Sequence, residues 1–132
     1  MRYRYKRTLN DPAYVNMRNN TKKIVGVWND HDYGVSDGDG NFAMKNKTKS
    51  LFLDFLGESR GSERRELHEG IYNSYYIGEK KRVKLLLLDV RFNKQSDDIL
   101  GEKQWKWLEK QLWENDAMVT IFASGLLPNE FK

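Results

Sequence analysis

The sequence feature that most constrains the fold is the apolar run Leu85–Leu88, inside the segment "VKLLLLDV". A continuous apolar run is typical of a strand buried on both faces, because a half-buried strand alternates apolar and polar residues. The preceding segment "GIYNSYYIG" does alternate, and it is joined to the run at "GEKK". The two segments therefore predict a pair of strands, the second of them central and ending at Asp89.

Three segments have the spacing and punctuation of helices. "LNDPAYVNMRNN" offers Asn10 or Asp11 as an N-cap, with Pro12 at the first helical position, and it predicts a helix to about Asn20. "KTKSLFLDFLGE" predicts an amphipathic helix that stops at Gly57. "LGEKQWKWLEKQLWEN" is the clearest helix. Its expected apolar face consists of Trp105, Leu108 and Leu112.

Two more runs predict strands and complete an α/β pattern. "KIVGVW" (Lys23–Trp28) is dense in β-branched residues and is bounded by polar segments, and "MVTIFASG" ends in small residues. The order of elements predicts a layered α/β core, with strand ends at Trp28, Asp89 and Ser124 near one edge of a sheet. Ligands bind outside the carboxyl ends of strands in such sheets, so this edge is the expected position of a site.

Composition limits the chemistry that the chain can carry. The 132 residues predict one domain, and the absence of Cys excludes disulfides, Cys-ligated zinc and thiol nucleophiles. No apolar run has the length of a membrane-spanning helix, so we expect no transmembrane segment. The net charge of +4 is concentrated at the front, where Met1–Lys23 holds seven Lys or Arg and a single acid, Asp11. Such a basic front attracts phosphate or is simply a solvated surface.

The segment "VWNDHDYG" places Asn29, Asp30, His31 and Asp32 in a row directly after a predicted strand. Their oxygen and imidazole groups are ligands for hard or borderline metal ions, and such ions activate water and polarise phosphoryl oxygens. The other interpretation is a capped turn, in which Asn29 and Asp30 bond their own backbone, Asp32 pairs with His31, and Gly34 turns the chain. Composition leaves the two interpretations open.

Other residues add little to this candidate site. A two-metal centre needs ligands from further strand ends, and the only other histidine, His68, lies in a charged connector. Arg91 follows the central strand, where it can contact a phosphate group or form a surface ion pair.

The order of several motifs resembles a known family. "VWNDHDYGVSDGDGNF", "GIYNSYYIG", "VKLLLLDVRF", "DILGEKQWKWLEKQL" and "IFASGL" follow one another along nearly the whole chain. They are similar to the motifs W-D-D-H-D-Y-G-x-N-D, G-I-Y-x-S-Y, L-L-D-x-R and L-G-x-x-Q-W-x-W-L. These are motifs of the PhoD-like alkaline phosphatases, also called the alkaline phosphatase D family.

This resemblance implies a calcineurin-like metallophosphatase sandwich of two β-sheets flanked by helices, which hydrolyses phosphomonoesters or phosphodiesters. By similarity, Asp30 is a metal ligand, and Asn29 is a weaker one because the family more often has Asp there. His31 matches the histidine that contacts the phosphate and assists the leaving group, and Asp32 matches the acid that orients it. The implied cofactors are divalent or trivalent metal ions, namely calcium, iron, zinc, manganese or magnesium.

The chain also departs from the family pattern. Ser36 replaces the Asn that usually precedes Asp37. The family's early metal ligands would precede Met1 and its later histidine motif would follow Lys132, so residues 1–132 are expected to be the central part of a single PhoD-like domain. We therefore expect an internal fragment, incomplete at both ends, with impaired phosphatase activity.

A rival hypothesis is a basic nucleic-acid-binding module without catalysis. In this interpretation "RYRYKR" and the Tyr-rich strand pair bind nucleic acid through phosphate contacts and base stacking. We rank nucleic acid well below a phosphate-ester substrate as the partner, because the rival depends only on charge asymmetry and aromatic content.

Overall fold

A computed structural model of the chain describes residues 2–126, which form a mixed α/β structure. The helices are α1 (Arg2–Leu9), α2 (Pro12–Asn19), α3 (Asp30–Tyr33), α4 (Lys45–Leu56), α5 (Glu63–Glu66) and α6 (Glu102–Trp113). The strands are β1 (Asn73–Ile77), β2 (Val83–Leu87) and β3 (Val119–Ala123), and a 3-10 turn spans Glu79–Lys81. Across this part of the chain, no helix combines the length and apolarity needed to cross a membrane.

The three strands form one sheet in the order β1-β2-β3. β1 and β2 are antiparallel, with Asn73 opposite Leu87, and β2 and β3 are parallel, with Leu87 opposite Ala123. The predicted strand pair and the central position of the apolar run are therefore confirmed. Leu86 and Leu87 are buried because the run has a strand on each side and helix α6 over one face.

Two predicted helix boundaries are also confirmed, because each depends on local chemistry. The Asp11 side chain accepts hydrogen bonds from the backbone N–H groups of Ala13 (2.9 Å) and Tyr14 (3.2 Å) at the start of α2. This contact satisfies backbone donors that lack a partner inside the helix. Helix α4 ends at Gly57, which has the left-handed conformation (φ 74°) that glycine adopts without a steric penalty.

The predicted strand Lys23–Trp28 is wrong. Residues 23–29 belong to neither a helix nor a strand, although Trp28 is fully buried. No strand among residues 2–126 pairs with this segment, and the buried Arg64 instead donates a hydrogen bond from Nη2 to the carbonyl of Gly26. The apolar residues of the segment Lys23–Trp28 therefore lead to its burial, but its backbone forms no strand ladder. Even so, the predicted strand ends lie close together, because Trp28 Nε1 donates to the Asp89 side chain and Gly125, which follows β3, approaches the carbonyl of Trp28.

The predicted face of α6 is only partly correct. Leu108 is buried, but Trp105 is 49% exposed and Leu112 is 45% exposed. Gln104 is buried beside Leu108, and its side chain bonds the backbone of Asp89. Trp107 is half-buried and packs against the apolar cluster that contains Leu108. The buried side of α6 therefore includes a hydrogen-bonded polar residue, which apolarity alone does not predict.

Two apolar clusters form the core, and the chain from 86 to 92 contributes to both. One cluster contains Trp28, Tyr33, Phe52, Leu53, Ile71 and Phe92. The other contains Leu86, Leu88, Val90, Leu100 and Leu108. Asp89, which is 1% exposed, therefore lies in the segment that joins the two clusters.

Asp89 accepts hydrogen bonds from four N–H groups of three chain segments. Its carboxylate oxygens receive Trp28 Nε1 (2.8 Å), the Ile71 N–H (2.8 Å), the Arg91 N–H (3.0 Å) and the Phe92 N–H (3.0 Å). Burial raises the pKa of the Asp89 carboxyl, and the N–H donors oppose that shift. The carboxylate thus satisfies buried donors that would otherwise be unpaired.

Two neighbours complete the surroundings of Asp89. The Gln104 side chain accepts from the Asp89 N–H (2.8 Å) and donates to the Asp89 carbonyl (2.7 Å). Gly70 has a positive φ of 90°, and a Cβ at this position would overlap the Asp89 carboxylate. Position 70 therefore requires glycine for both its conformation and its contact.

Replacing Asp89 by Leu should destabilise the protein strongly. The substitution leaves four buried N–H donors without an acceptor, and we expect a loss of about 3 kcal/mol or more in the free energy of unfolding. Asp89→Asn retains one acceptor oxygen and should lose less. Urea denaturation of the full chain measures both losses.

The matched control is Asp97→Leu, because Asp97 is exposed. It should change the free energy of unfolding by less than about 0.5 kcal/mol. Equal stability of the Asp89→Leu variant and the original chain would show that the Asp89 network does not hold the two clusters together.

Candidate functional site

The polar residues of "VWNDHDYG" form the single helical turn α3 and its cap. Two fully buried aromatic residues flank them, Trp28 before the turn and Tyr33 at its end, with ring centroids 5.1 Å apart. Because both rings are anchored in the first core cluster, the turn between them is held in place. The polar side chains therefore belong to a turn that core packing holds in position.

Both carboxylate oxygens of Asp30 accept hydrogen bonds from the backbone. Oδ1 accepts from the His31 N–H (2.8 Å) and Oδ2 accepts from the Asp37 N–H (3.2 Å). The bonds from Asp37 and His31 lower the pKa of Asp30, because they favour the charged form. Asp30 is therefore ionised, and each oxygen retains a second lone pair that can face a ligand.

Arg91 follows Asp89 by two residues, and its side chain contacts the turn. Its Nη2 donates a hydrogen bond to Asn29 Oδ1 (2.7 Å), a contact between residues 62 positions apart, and its Nη1 donates to the Gly38 carbonyl (3.4 Å). Arg91 is buried, and no carboxylate of residues 2–126 lies within ion-pair distance of it. A surface ion pair is therefore the wrong role for Arg91, while its contact with a phosphate group stays a prediction.

His31 and Asp32 are exposed on one side of the turn. Both line a cleft of about 360 Å³ together with Arg4, Tyr5, Val35 and Ser36. The Asp32 carboxylate accepts from the Asn29 N–H at 3.4 Å, and residues 2–126 show no hydrogen bond between it and the His31 imidazole. The structure thus places Asp32 against the start of the turn, and its role in orienting His31 stays a prediction.

The capped-turn interpretation is confirmed for Asp30 and Gly34 but wrong for the other two contacts, because Asn29 Oδ1 accepts from Arg91 and the Asp32 carboxylate accepts from the Asn29 N–H instead of pairing with His31. Asp30 bonds the backbone, Asp32 contacts the first N–H of the turn, and Gly34 turns the chain with a φ of 124°. These contacts use backbone N–H groups, so the His31 side chain remains free to meet a ligand. A well-formed turn and a reactive site are therefore compatible here.

Asp30 and Asn29 are the residues of the turn that could contribute ligands to a metal ion. Asp30 and Asn29 offer two ligating oxygen-bearing side chains, and Asn29 Oδ1 is already bonded to Arg91. Within residues 2–126 no three His, Asp or Glu side chains gather in a way that could hold a metal ion. Zinc usually takes four ligands and calcium six to eight, so further ligands would be needed.

His68, the second histidine, is held by packing and hydrogen-bond contacts within the protein. It is half-buried between α5 and β1, its ring stacks on Tyr72 with centroids 4.3 Å apart, and its Nδ1 lies 2.7 Å from the Tyr72 carbonyl oxygen. Trp107 packs against the edge of the same pair. These contacts explain the position of His68 without any role in the candidate site.

Sequence reasoning missed the residues of α1 that meet the turn. The Tyr5 hydroxyl donates to the Asp32 carbonyl (3.2 Å), and the Tyr5 ring stacks on Phe55 with centroids 4.7 Å apart. The only sequence signal was the alternation of Arg and Tyr in "RYRYKR", which also fits a solvated surface. Such long-range contacts require a helix packed across the turn, which composition does not reveal.

Comparisons with known proteins do not assign a family to this geometry. No family model, no curated protein and no solved structure matches the chain.

Asn29 and Arg91 should be energetically coupled. We expect a double-mutant cycle of Asn29→Ala and Arg91→Met to give a coupling free energy of about 1 to 2 kcal/mol, because a buried charged donor loses its acceptor. Urea unfolding of the four proteins measures it. Substitutions that add within about 0.3 kcal/mol would mean that the contact is energetically unimportant.

Stability should fall as the pH falls through the titration of His68. Burial lowers the pKa of His68 below its ordinary value of 6.5, so the unfolded chain binds this proton more strongly than the folded protein. Neutral His68 therefore stabilises the folded protein at pH values above the ordinary pKa of 6.5. This stabilisation is lost as the pH falls below 6.5. Thermal unfolding at about pH 8, 7, 6 and 5 measures this loss.

The matched variant is His68→Gln, which cannot gain the proton. It should lose less stability than the original chain over the same pH interval, because the remaining titrating groups are unchanged. Parallel losses in the two proteins would remove His68 as the cause.

Proposed function

We propose that the chain is part of a PhoD-like phosphatase domain, with the turn Asn29–Asp32 as its catalytic segment. The substrates would be phosphomonoesters or phosphodiesters. The observation that carries the proposal is the contact between Asn29 and Arg91, at 2.7 Å. The sequence suggested Asn29 for a metal ion and Arg91 for phosphate separately, and the structure bonds these two residues to each other.

The motif residues also meet one another. Trp28, from the first motif, and Ile71, from the second, both donate to the Asp89 carboxylate of the third. Gln104, from the fourth motif, bonds the Asp89 backbone in both directions. One buried network thus links the segments on which the resemblance depends, and this supports a common origin for their order.

His31 would act on the phosphate ester directly. Its imidazole is exposed on a fixed turn, so it can contact a phosphate oxygen and donate a proton to the leaving alcohol. Buried Arg91 places a permanent positive charge next to the turn, which favours an anionic ligand nearby.

The proposal includes a metal ion of unassigned identity, chosen from calcium, iron, zinc, manganese and magnesium. Asp30 and Asn29 would be its ligands from this segment, since Asp30 is ionised and has free lone pairs. A complete coordination sphere would need further ligands besides these two.

We also propose that the three-stranded sheet belongs to one of the two sheets of a calcineurin-like sandwich. Support comes from β3, where Val119, Ile121 and Phe122 are each about half exposed, at 52%, 47% and 51%. Apolar side chains exposed along a strand are typical of a surface that another layer covers.

A basic nucleic-acid-binding module is the second candidate. The seven Lys and Arg of residues 2–23 are all exposed, which favours contacts with phosphate. However, Tyr5 and Tyr14 stack on Phe55, with centroids 4.7 and 5.6 Å away, and Lys23 lies over the ring of Tyr75. Tyr5 and Tyr75 are thus engaged within the protein, whereas Tyr3 of the basic segment is 77% exposed and accessible to a base.

Replacing His31 by Ala should lower the turnover number for phosphate-ester hydrolysis roughly 10²-fold, the scale of lost general acid catalysis. The assay uses the full chain, an aryl phosphate, and each of the five metals in turn. We expect a metal-stimulated rate below the median enzyme value of roughly 10 s⁻¹.

His68→Gln is the control, because His68 packs against Tyr72 away from the turn's contacts. It should keep the rate of the original chain under conditions where both are folded. Identical rates for the His31→Ala variant and the original chain, with every metal, would contradict the proposed role of His31.

A further inference from the structure

A cleft of about 360 Å³ separates α1 from the turn α3. Arg4 and Tyr5 line one wall, and His31 and Asp32 line the other, with Ser36 at the edge. The cleft therefore faces the imidazole that the proposed function assigns to the leaving group. Its volume lies in the lower part of the roughly 300–1,000 Å³ range of small-molecule sites.

Helix α1 is fixed at this cleft by Tyr5. The Tyr5 hydroxyl donates to the Asp32 carbonyl (3.2 Å), and its ring stacks on Phe55 (4.7 Å) and meets the edge of Phe52 (6.3 Å). Burial raises the pKa of Tyr5 far above its ordinary value, so the hydroxyl stays protonated and remains a donor. Arg4, the preceding residue, is thereby held at the cleft and does not belong to a loose tail.

The charge of Arg4 is available to a ligand. Its side chain is exposed, and no carboxylate of residues 2–126 pairs with it. A guanidinium binds phosphate through two parallel N–H···O bonds, and the Ser36 hydroxyl is a further donor at the same cleft. Asp32, the acid of this cleft, opposes an anion, but its carboxylate lies toward the Asn29 N–H (3.4 Å).

We propose that the phosphate group of the ester binds in this cleft, with the Arg4 guanidinium on its oxygens beside His31. This inference depends on the proposed phosphatase function, and it adds a substrate-binding residue that lies outside every motif of the family resemblance. It also gives α1 a function, since the helix brings the cation to the imidazole. The chemical class recognised is a phosphate group.

The test is a titration of the ¹⁵N-labelled full chain with inorganic phosphate at constant ionic strength, followed by amide chemical shifts. Saturable shifts should appear around His31 and Ser36. Arg4→Gln should weaken the affinity about tenfold or more, the scale of a lost charge-assisted hydrogen bond. Arg7→Gln, which removes the same charge from the same helix outside the cleft, should change it by less than about twofold.

Arg4→Lys gives a second comparison, because it retains the charge without the planar pair of donors, and its affinity should lie between those of the original chain and Arg4→Gln. Absence of saturable shifts around His31 would overturn the inference. Equal weakening by Arg4→Gln and Arg7→Gln would also overturn it, because diffuse attraction by the basic helix would then be sufficient.

Hydrolysis by the same variants separates this inference from the proposed function. His31-dependent hydrolysis that is unaffected by Arg4→Gln would leave the phosphatase proposal standing and refute the cleft. Arg4-dependent phosphate binding without His31-dependent hydrolysis would establish the cleft as a phosphate site and refute the phosphatase proposal.

Discussion

The rest of the structure depends on the hydrogen bonds that converge on Asp89. A carboxylate that is 1% exposed is costly to bury, and it is tolerated here because four N–H groups donate to it. Of these donors, Trp28 precedes the polar turn and Ile71 precedes strand β1. Arg91 and Phe92 follow strand β2. One side chain therefore ties the unpaired segment that ends at Trp28 to the chain next to strands β1 and β2, and it does so between the two apolar clusters.

The candidate site is a direct consequence of this network. Trp28 donates a hydrogen bond to the Asp89 carboxylate, so the next residue, Asn29, lies close to Asp89. Arg91 lies two residues after Asp89, and its guanidinium consequently reaches the Asn29 side chain. Helix α1 adds Tyr5 and Arg4 from a third direction. The polar turn is thus surrounded by two cations, one buried and one exposed, and this arrangement supports an anionic ligand.

The capped turn and the active site, which the sequence presented as alternatives, are not exclusive. Asp30 and Asp32 satisfy backbone donors, as turn chemistry requires, and His31 of the same turn lines the cleft. Phosphatase activity and the bound metal stay predictions, because no matching family, curated protein or solved structure tests them. What the geometry adds is a physical reason for the distant motifs to occur together.

The sequence by itself determined the features that depend on neighbouring residues. Spacing and turn chemistry predict an N-cap at Asn10 or Asp11, the Gly57 stop, the strand pair around Leu85–Leu88, the helix α6 and the strand β3. Only the tertiary structure decided that Lys23–Trp28 would be buried without pairing, that α6 would turn Gln104 inward, and that Arg91 would meet Asn29. Each of these depends on a partner far away in the chain, and apolarity and spacing carry no information about which partner a buried polar group will find.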